Sequence, residues 1–197
     1  AELRAYKAKL KALRGLPASV KEALEHLPAS SHAMDVMRTG VSALGCVLPE
    51  KEDHNTPGAR DIADRLLASL GSMLLYWYHW STQGKRINVE TDDDSIGAHF
   101  LHLLHGKAPS KEWERAMHTS LNLYAEHEFN ASTFACRVIA GTGSDMYSAI
   151  TGGIGALRGP KHGGANEVAF EIQKRYDSPD EAVAVIRRRV EAKEVVI

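Results

Sequence analysis

The chain has 197 residues, enough for one sizeable core or for one domain and part of another, so length alone leaves the domain count open. Its 24 basic and 25 acidic residues give a net charge of -1, which creates no long-range field to gather nucleic acid or an anionic membrane. A small, locally recognised partner fits that balance better than a polyanion or a lipid surface.

The amino terminus alternates charge with apolar residues and has no basic n-region followed by an apolar h-region, so it does not read as a signal peptide. A cytoplasmic protein is expected. Cys46 and Cys136 form no C-x-x-C pair and stand among apolar neighbours, where cysteine usually acts as a small buried hydrophobe.

Leu3, Tyr6, Leu10 and Leu13 recur at helical spacing, with Arg4, Lys7, Lys11 and Arg14 on the wet side, and Gly15 and Pro17 end that helix. A second helix is predicted over about Val20 to Leu27, a third over Ala33 to Leu44, and a long one from near Ala59 to Trp80, entered through Pro57-Gly58. The most hydrophobic stretch, Leu66 to Trp80, contains Ser69, Gly71, Ser72 and His79 and is shorter than the roughly 20 apolar residues that span a bilayer. It reads as a buried core helix.

After a turn at Gln83-Gly84, Arg86 to Glu90 alternates like a strand but is too brief to build a sheet, so an all-α fold is predicted. Asp94 or Ser95 can cap a helix ending near Gly106. Ser110, with Glu112 and Glu114 in the first turn, opens another that carries Trp113, Met117, Leu121 and Tyr124. Ser178-Pro179-Asp180-Glu181 is a capping box with proline at the first helical position.

Between Gly141 and Gly164 stand eight glycines: Gly141, Gly143, Gly152, Gly153, Gly155, Gly159, Gly163 and Gly164. Such density is costly in a plain helix, so either helices pack very closely there or backbone approaches a ligand. A domain boundary is expected just before it, dividing 1–126 from 127–197. The apolar ending Glu194-Val195-Val196-Ile197 has the look of a truncated chain.

The ten histidines fall into groups. His99, His102 and His105 lie within one arc of a helix, but helical zinc pairs are usually four apart and joined by a ligand from elsewhere, so partly exposed helix histidines are expected and no metal site. His32 stands where a Pro-containing loop enters a helix; its imidazole either points at an anion near unpaired backbone N–H groups or bonds to backbone as a cap residue. His127, in Tyr124-Ala125-Glu126-His127-Glu128-Phe129-Asn130-Ala131-Ser132-Thr133, sits where a helical pattern meets a small-residue segment. His162 is flanked by Gly159-Pro160 and Gly163-Gly164, with Arg158 and Lys161 adding positive charge. The last two form a candidate acid/base or oxyanion-stabilising pair.

Those segments, HEFNAST and GALRGPKHGGANE, resemble the two signature regions of the citrate synthase family, and SHAMDVMRTGVSALGC and LLYWYHWSTQGKRI resemble its bacterial 2-methylcitrate synthase branch. The resemblance covers essentially the whole chain, with the motifs in the family's order and spacing. It implies a citrate-synthase-like multi-helical fold, with large-domain helices in 1–126 and the start of a small CoA-binding domain in 127–197, cut at both ends. It also implies a homodimer, with the apolar faces of Val36 to Leu44 and Leu66 to Trp80 as candidate partner surfaces.

The implied activity condenses propionyl-CoA with oxaloacetate, with acetyl-CoA as the alternative acyl donor and a non-catalytic helical dimerisation module as the alternative role. No cofactor is implied beyond the coenzyme A thioester, which is a substrate. By motif position, His127 would donate to the enolate of the acyl-CoA, His162 would polarise the oxaloacetate carbonyl, and His32 would bind the dicarboxylate. Leu157, Arg158, Gly159, Pro160 and Lys161 would lie along CoA. The family's proline after the first histidine is replaced by Ala33, and its catalytic aspartate belongs to a G-F-G-H-x-V-Y and D-P-R region expected beyond Ile197. Neither Asp145 nor Glu128 stands at the matching position, so neither is assigned as the base.

Overall fold

The computed structural model describes residues 1–51, 56–125 and 129–194, and among them every regular element is an α-helix. The long helix α4 (Thr56–Gln83) is the element against which four of the others are laid. At about 1.5 Å per residue its 28 residues run some 40 Å. Ile62, Leu66, Met73, Tyr76 and Trp77 share one side and Leu75 points the other way, all at most 8% exposed. Burying a side chain of that size contributes about 1.5 to 3 kcal/mol, which explains why the apolar pattern fixes this helix despite Gly71 and four serines and threonines in its last two-thirds.

Helix α1 (Glu2–Ala12) is tied to α4 mainly by polar bonds. The Tyr6 hydroxyl donates to Asp64 at 2.8 Å, and Lys9 reaches Asp61 and Asp64 at 2.8 and 2.7 Å. Asp64 is buried, so these partners are what makes its charge tolerable there. Its carboxyl is accordingly held below the usual range, first by Lys9. Helices α2 (Ala18–Glu25) and α3 (Ala33–Val47) form a pair packed on α4 through Val20, Leu24, Val36, Val41 and Leu44. Much of the apolar side of α3 and α4 over Val36 to Leu44 and Leu66 to Trp80 is thus spent inside the chain's own core, while Leu67 and Tyr78 of α4 stay exposed.

Beyond α4, Arg86 to Glu90 alternates inward and outward as its sequence suggests: Val89 is buried and Arg86, Asn88 and Glu90 are exposed, but among the described residues no partner strand forms a ladder. Arg14, only 2% exposed, donates to the carbonyls of Thr91 and Ser95 and so joins the α1–α2 link to this strap. Helices α5 (Ile96–His105) and α6 (Lys111–Tyr124) start at Ser95 and Ser110, whose hydroxyls accept from Ala98 and Trp113. α5 stops at Gly106, in the left-handed region at φ 69°, where only glycine fits without cost.

Helices α7 (Ala131–Gly141) and α8 (Met146–Leu157) follow. The glycines of α8 do not break it. A Cβ on Gly152 or Gly153 would overlap Ile139 or the Cys136 sulfur, so close helix packing is what this pair serves. Two expectations need correction. Cys46 is exposed on α3, because it lies off that helix's buried stripe of Val36, Gly40, Val41 and Leu44. His99 is 1% exposed rather than partly exposed, because it falls on the inner face of α5 with Ala98, Leu101 and Leu103.

The chain divides into two compact units, Ala1–Gly155 and Ala156–Ile197. The boundary expected at 126/127 falls on residues outside those described. The second unit contains α9 (Gly164–Gln173) and α10 (Pro179–Glu191), the latter capped as expected by the Ser178 hydroxyl.

Candidate functional site

His32 is the N-cap residue of α3, and its Nδ1 accepts a 3.1 Å bond from the Met34 backbone N–H. A backbone N–H can only donate, so Nδ1 is unprotonated and the ring proton sits on Nε2. Of the two readings of His32, the backbone-bonded cap is therefore present, and it fixes the tautomer. The His32 carbonyl also accepts from Asp35 and Val36. Ala33, in place of proline, occupies the first helical position, where a missing N–H would have cost nothing and a present one costs little.

The loop that delivers His32 is short and bonded along its length. Leu27 N–H donates to Leu24, and Ser31 N–H to Pro28. One turn later on α3, Arg38 pairs with Asp35 at 3.1 Å and lies near Gly155 of α8. These features all belong to the first unit.

His162 belongs to the second unit. Leu157 is the last residue of α8, and Arg158, Pro160 and Lys161 are exposed in the turn that follows. Gly159 accepts from both His162 and Gly164 N–H groups, which folds the GPKHGG segment back on itself directly before α9. The glycines are needed for steric reasons: a Cβ on Gly163 would stand 2.5 Å from the Leu157 carbonyl oxygen, and one on Gly164 2.8 Å from that of Arg158. α9 has no side-chain cap, so its first turn takes its bonds from the backbone of this loop. A half-buried imidazole, two cationic side chains and exposed backbone thus share one turn at a helix N-terminus, a setting suited to a developing oxyanion.

His127 lies outside the described residues. Beside it in sequence, Phe129 is 95% exposed with φ 56°, a left-handed conformation that is strained for an aromatic residue, and Asn130 caps α7 by accepting from Thr133. The Asn130 cap was not anticipated, although Asn before Ala-Ser-Thr is a readable signal. α9 was missed too, and no cap side chain could have announced it.

The His99, His102 and His105 group disperses. His99 Nε2 meets the Ser72 hydroxyl and Nδ1 the Thr91 hydroxyl, both at 3.1 Å, while His102 Nδ1 is 2.7 Å from Asp93. Burial, followed by the Arg14 charge, pushes His99 down to about 4. Among the described residues no three His, Cys, Asp or Glu side chains converge to hold a metal ion, and no helix is long and apolar enough to cross a membrane.

Comparison with known proteins agrees with the helical architecture. The chain matches the family described as citrate synthase, C-terminal domain, over residues 1–197. It is 57% identical over 197 residues to a 2-methylcitrate synthase of Shewanella oneidensis, covering all of this chain and 52% of that protein. It is 35% identical over 196 residues to a citrate synthase of Deinococcus radiodurans, again covering all of this chain and 52% of that protein. The chain thus spans about half the length of the curated relatives it matches. Among solved structures it resembles the ternary complex of carboxymethyl coenzyme A and oxaloacetate with the citrate synthase of Thermoplasma acidophilum, with a TM-score of 0.80 and 32% identity over 90% of this chain and 46% of that one. The chain therefore belongs to the citrate synthase family, in company with citrate and 2-methylcitrate synthases.

Proposed function

We propose that the chain serves an acyltransferase that condenses propionyl-CoA with oxaloacetate and water to give 2-methylcitrate and CoA, as a step of propionate catabolism in the cytoplasm. The observation that carries this reading is the identity of 57% to a 2-methylcitrate synthase across the whole chain, against 35% to a citrate synthase. Acetyl-CoA remains the second donor, since one methylene in a pocket discriminates by only about 1 to 3 kcal/mol.

The reaction needs a base to take a proton from the carbon beside the thioester, and donors where negative charge appears on the thioester oxygen and then on the ketone oxygen. His127 is assigned to the enolate and His162 to the oxaloacetate carbonyl. His32 is assigned to a substrate carboxylate through its Nε2–H, the tautomer that its cap bond enforces. The turn Leu157–Lys161 is assigned to CoA, with Arg158 and Lys161 facing its phosphates and the glycines letting backbone come close. Residues 127–197 then form the start of the CoA-binding domain. No cofactor is called for beyond the thioester itself.

The carboxylate base is assigned to sequence outside these 197 residues, so the chain by itself should release no CoA thiol from propionyl-CoA and oxaloacetate. Release by the isolated chain, at a rate lost in His127→Ala, would overturn that assignment. In an enzyme carrying the complete sequence, His127→Ala and His162→Ala should each lower kcat by roughly 10² to 10³, the usual effect of deleting an oxyanion donor. His32→Ala should instead raise the KM for oxaloacetate, by about 10-fold or more for a lost bond to a charged group. Rates measured with both acyl-CoAs at equal concentration decide the donor.

A further inference from the structure

The C-terminal end of α2 and the start of the loop to His32 are gripped by four side chains that the proposed reaction does not use. Trp77 Nε1–H donates to the Leu27 carbonyl at 3.3 Å, and Trp80 Nε1–H to the Glu25 carbonyl at 3.1 Å. Both indoles stand one turn apart on α4. The Glu25 carbonyl is one that a helix end leaves without an intrahelical partner, and the Leu27 carbonyl lies two residues past that end. The Glu25 carboxylate accepts from the Tyr76 hydroxyl at 2.6 Å and from Arg86 Nε and an Arg86 terminal nitrogen at 2.8 Å each, while the Arg86 guanidinium stacks on the Trp80 ring at 4.5 Å.

From this grip the chain reaches His32 through a single tight turn. Pro28, with its fixed φ, starts the turn, and the Ser31 N–H bond to the Pro28 carbonyl closes it. The next residue is His32, locked to α3 by its Nδ1 bond. α3 is in turn seated on α4 at Gly40, where a Cβ would stand 2.9 Å from the Met73 sulfur. The imidazole is thus held between two attachments to the same helix, and the one at Glu25 and Leu27 is made of hydrogen bonds that point at backbone.

We propose that Trp77 and Trp80 are positioning residues for His32. Their indole N–H groups fix the carbonyls of Glu25 and Leu27, so that the loop presents the imidazole Nε2–H at one place. That this place is a substrate carboxylate site rests on the function proposed above.

The test removes the donors and keeps the rings, in Trp80→Phe and in Trp77→Phe/Trp80→Phe, with Trp113→Phe, which is exposed and distant from the loop in sequence, as control. Long-range proton–nitrogen NMR correlations, assigned through His32→Ala, report the His32 tautomer, and the buried His99 ring reports that the core is intact. The expected result is a single, sharp Nε2–H pattern for His32 in the parent chain and in Trp113→Phe, and a displaced or exchange-broadened His32 pattern in the double variant while His99 is unchanged. An unchanged His32 pattern in the double variant overturns the proposal. If the double variant does not fold, the same comparison is made with Trp80→Phe alone, whose ring is only half-buried.

Titration with oxaloacetate separates the two ideas. A His32 response in the parent chain that weakens about 10-fold or more in the double variant supports both, since small displacements of a binding group are costly. A response of equal affinity in both overturns the positioning role. No response at His32 in an enzyme carrying the complete sequence overturns its substrate role, and the comparison of His32 patterns still decides whether the indoles position it.

Discussion

His99 shows how far a residue type is from a role. Ten histidines invite a search for catalysis, yet this one is spent in the core between Ser72, Thr91 and the charges of Arg14, Asp93 and His102. Its folded value of about 4 lies below the unfolded value of 6.5, so the unfolded chain binds the extra proton first. Its stabilisation is complete above the unfolded value and is lost as pH falls from 6.5 toward 4, with a full span of about 3 kcal/mol. Urea unfolding at pH 7.5 and 4.5 should show that slope, and His99→Gln, which cannot take up the proton, should flatten it. Glu25 acts lower on the scale: Arg86, then Tyr76, holds its carboxyl down to about 2, so its stabilisation is present above the ordinary 4.5 and fades as pH falls toward 2. Nothing in HFLHLLH distinguishes His99 from His105. Only the face of α5 that meets Ser72 does.

Among elements, the glycines carry the clearest lesson. Their density between 141 and 164 predicted either close helix packing or exposed backbone, and both are present at different places: packing at Gly152 and Gly153, a turn closed by backbone at Gly159, Gly163 and Gly164. Gly45, outside that window, is equally constrained, because a Cβ there would stand 2.8 Å from Cβ and 2.9 Å from Cγ of Tyr147, the stiff root of a buried side chain. Gly45→Ala should lower stability by about 1 to 2 kcal/mol even after the helix-propensity gain. Gly141→Ala, at the end of α7 with nothing near, should be neutral or stabilise by up to about 1 kcal/mol. Thermal unfolding of the two variants side by side checks the sign. Helix starts at Ser95, Ser110 and Ser178 were legible because each has its own hydroxyl cap; α9 was not, because its first turn is served by a loop's backbone.

For the whole molecule, α6 and α7 carry much of the apolar surface that stays exposed among the described residues. Trp113, Leu123, Tyr124, Phe134 and Val138 are all more than half exposed, while the buried stripes of α3 and α4 pack together. For the homodimer that the family resemblance implies, we propose these side chains as part of the contact, and light scattering should give about twice 21.6 kDa, reduced toward the monomer by Leu123→Glu. A well-dispersed monomer of the unsubstituted chain would remove that surface from the interface.

The sequence by itself determined the helical class, most helix starts, the core stripe of α4 and the family, because helix period, cap chemistry and ordered motifs are local properties of the chain. It could not decide which face of a helix would be covered, that Cys46 would be exposed and His99 enclosed, or that Nδ1 of His32 would be used as a cap. Those depend on which neighbour arrives at each face. For His32 the tertiary structure adds two indoles from α4, some fifty residues away in sequence, whose N–H groups hold the loop that carries it.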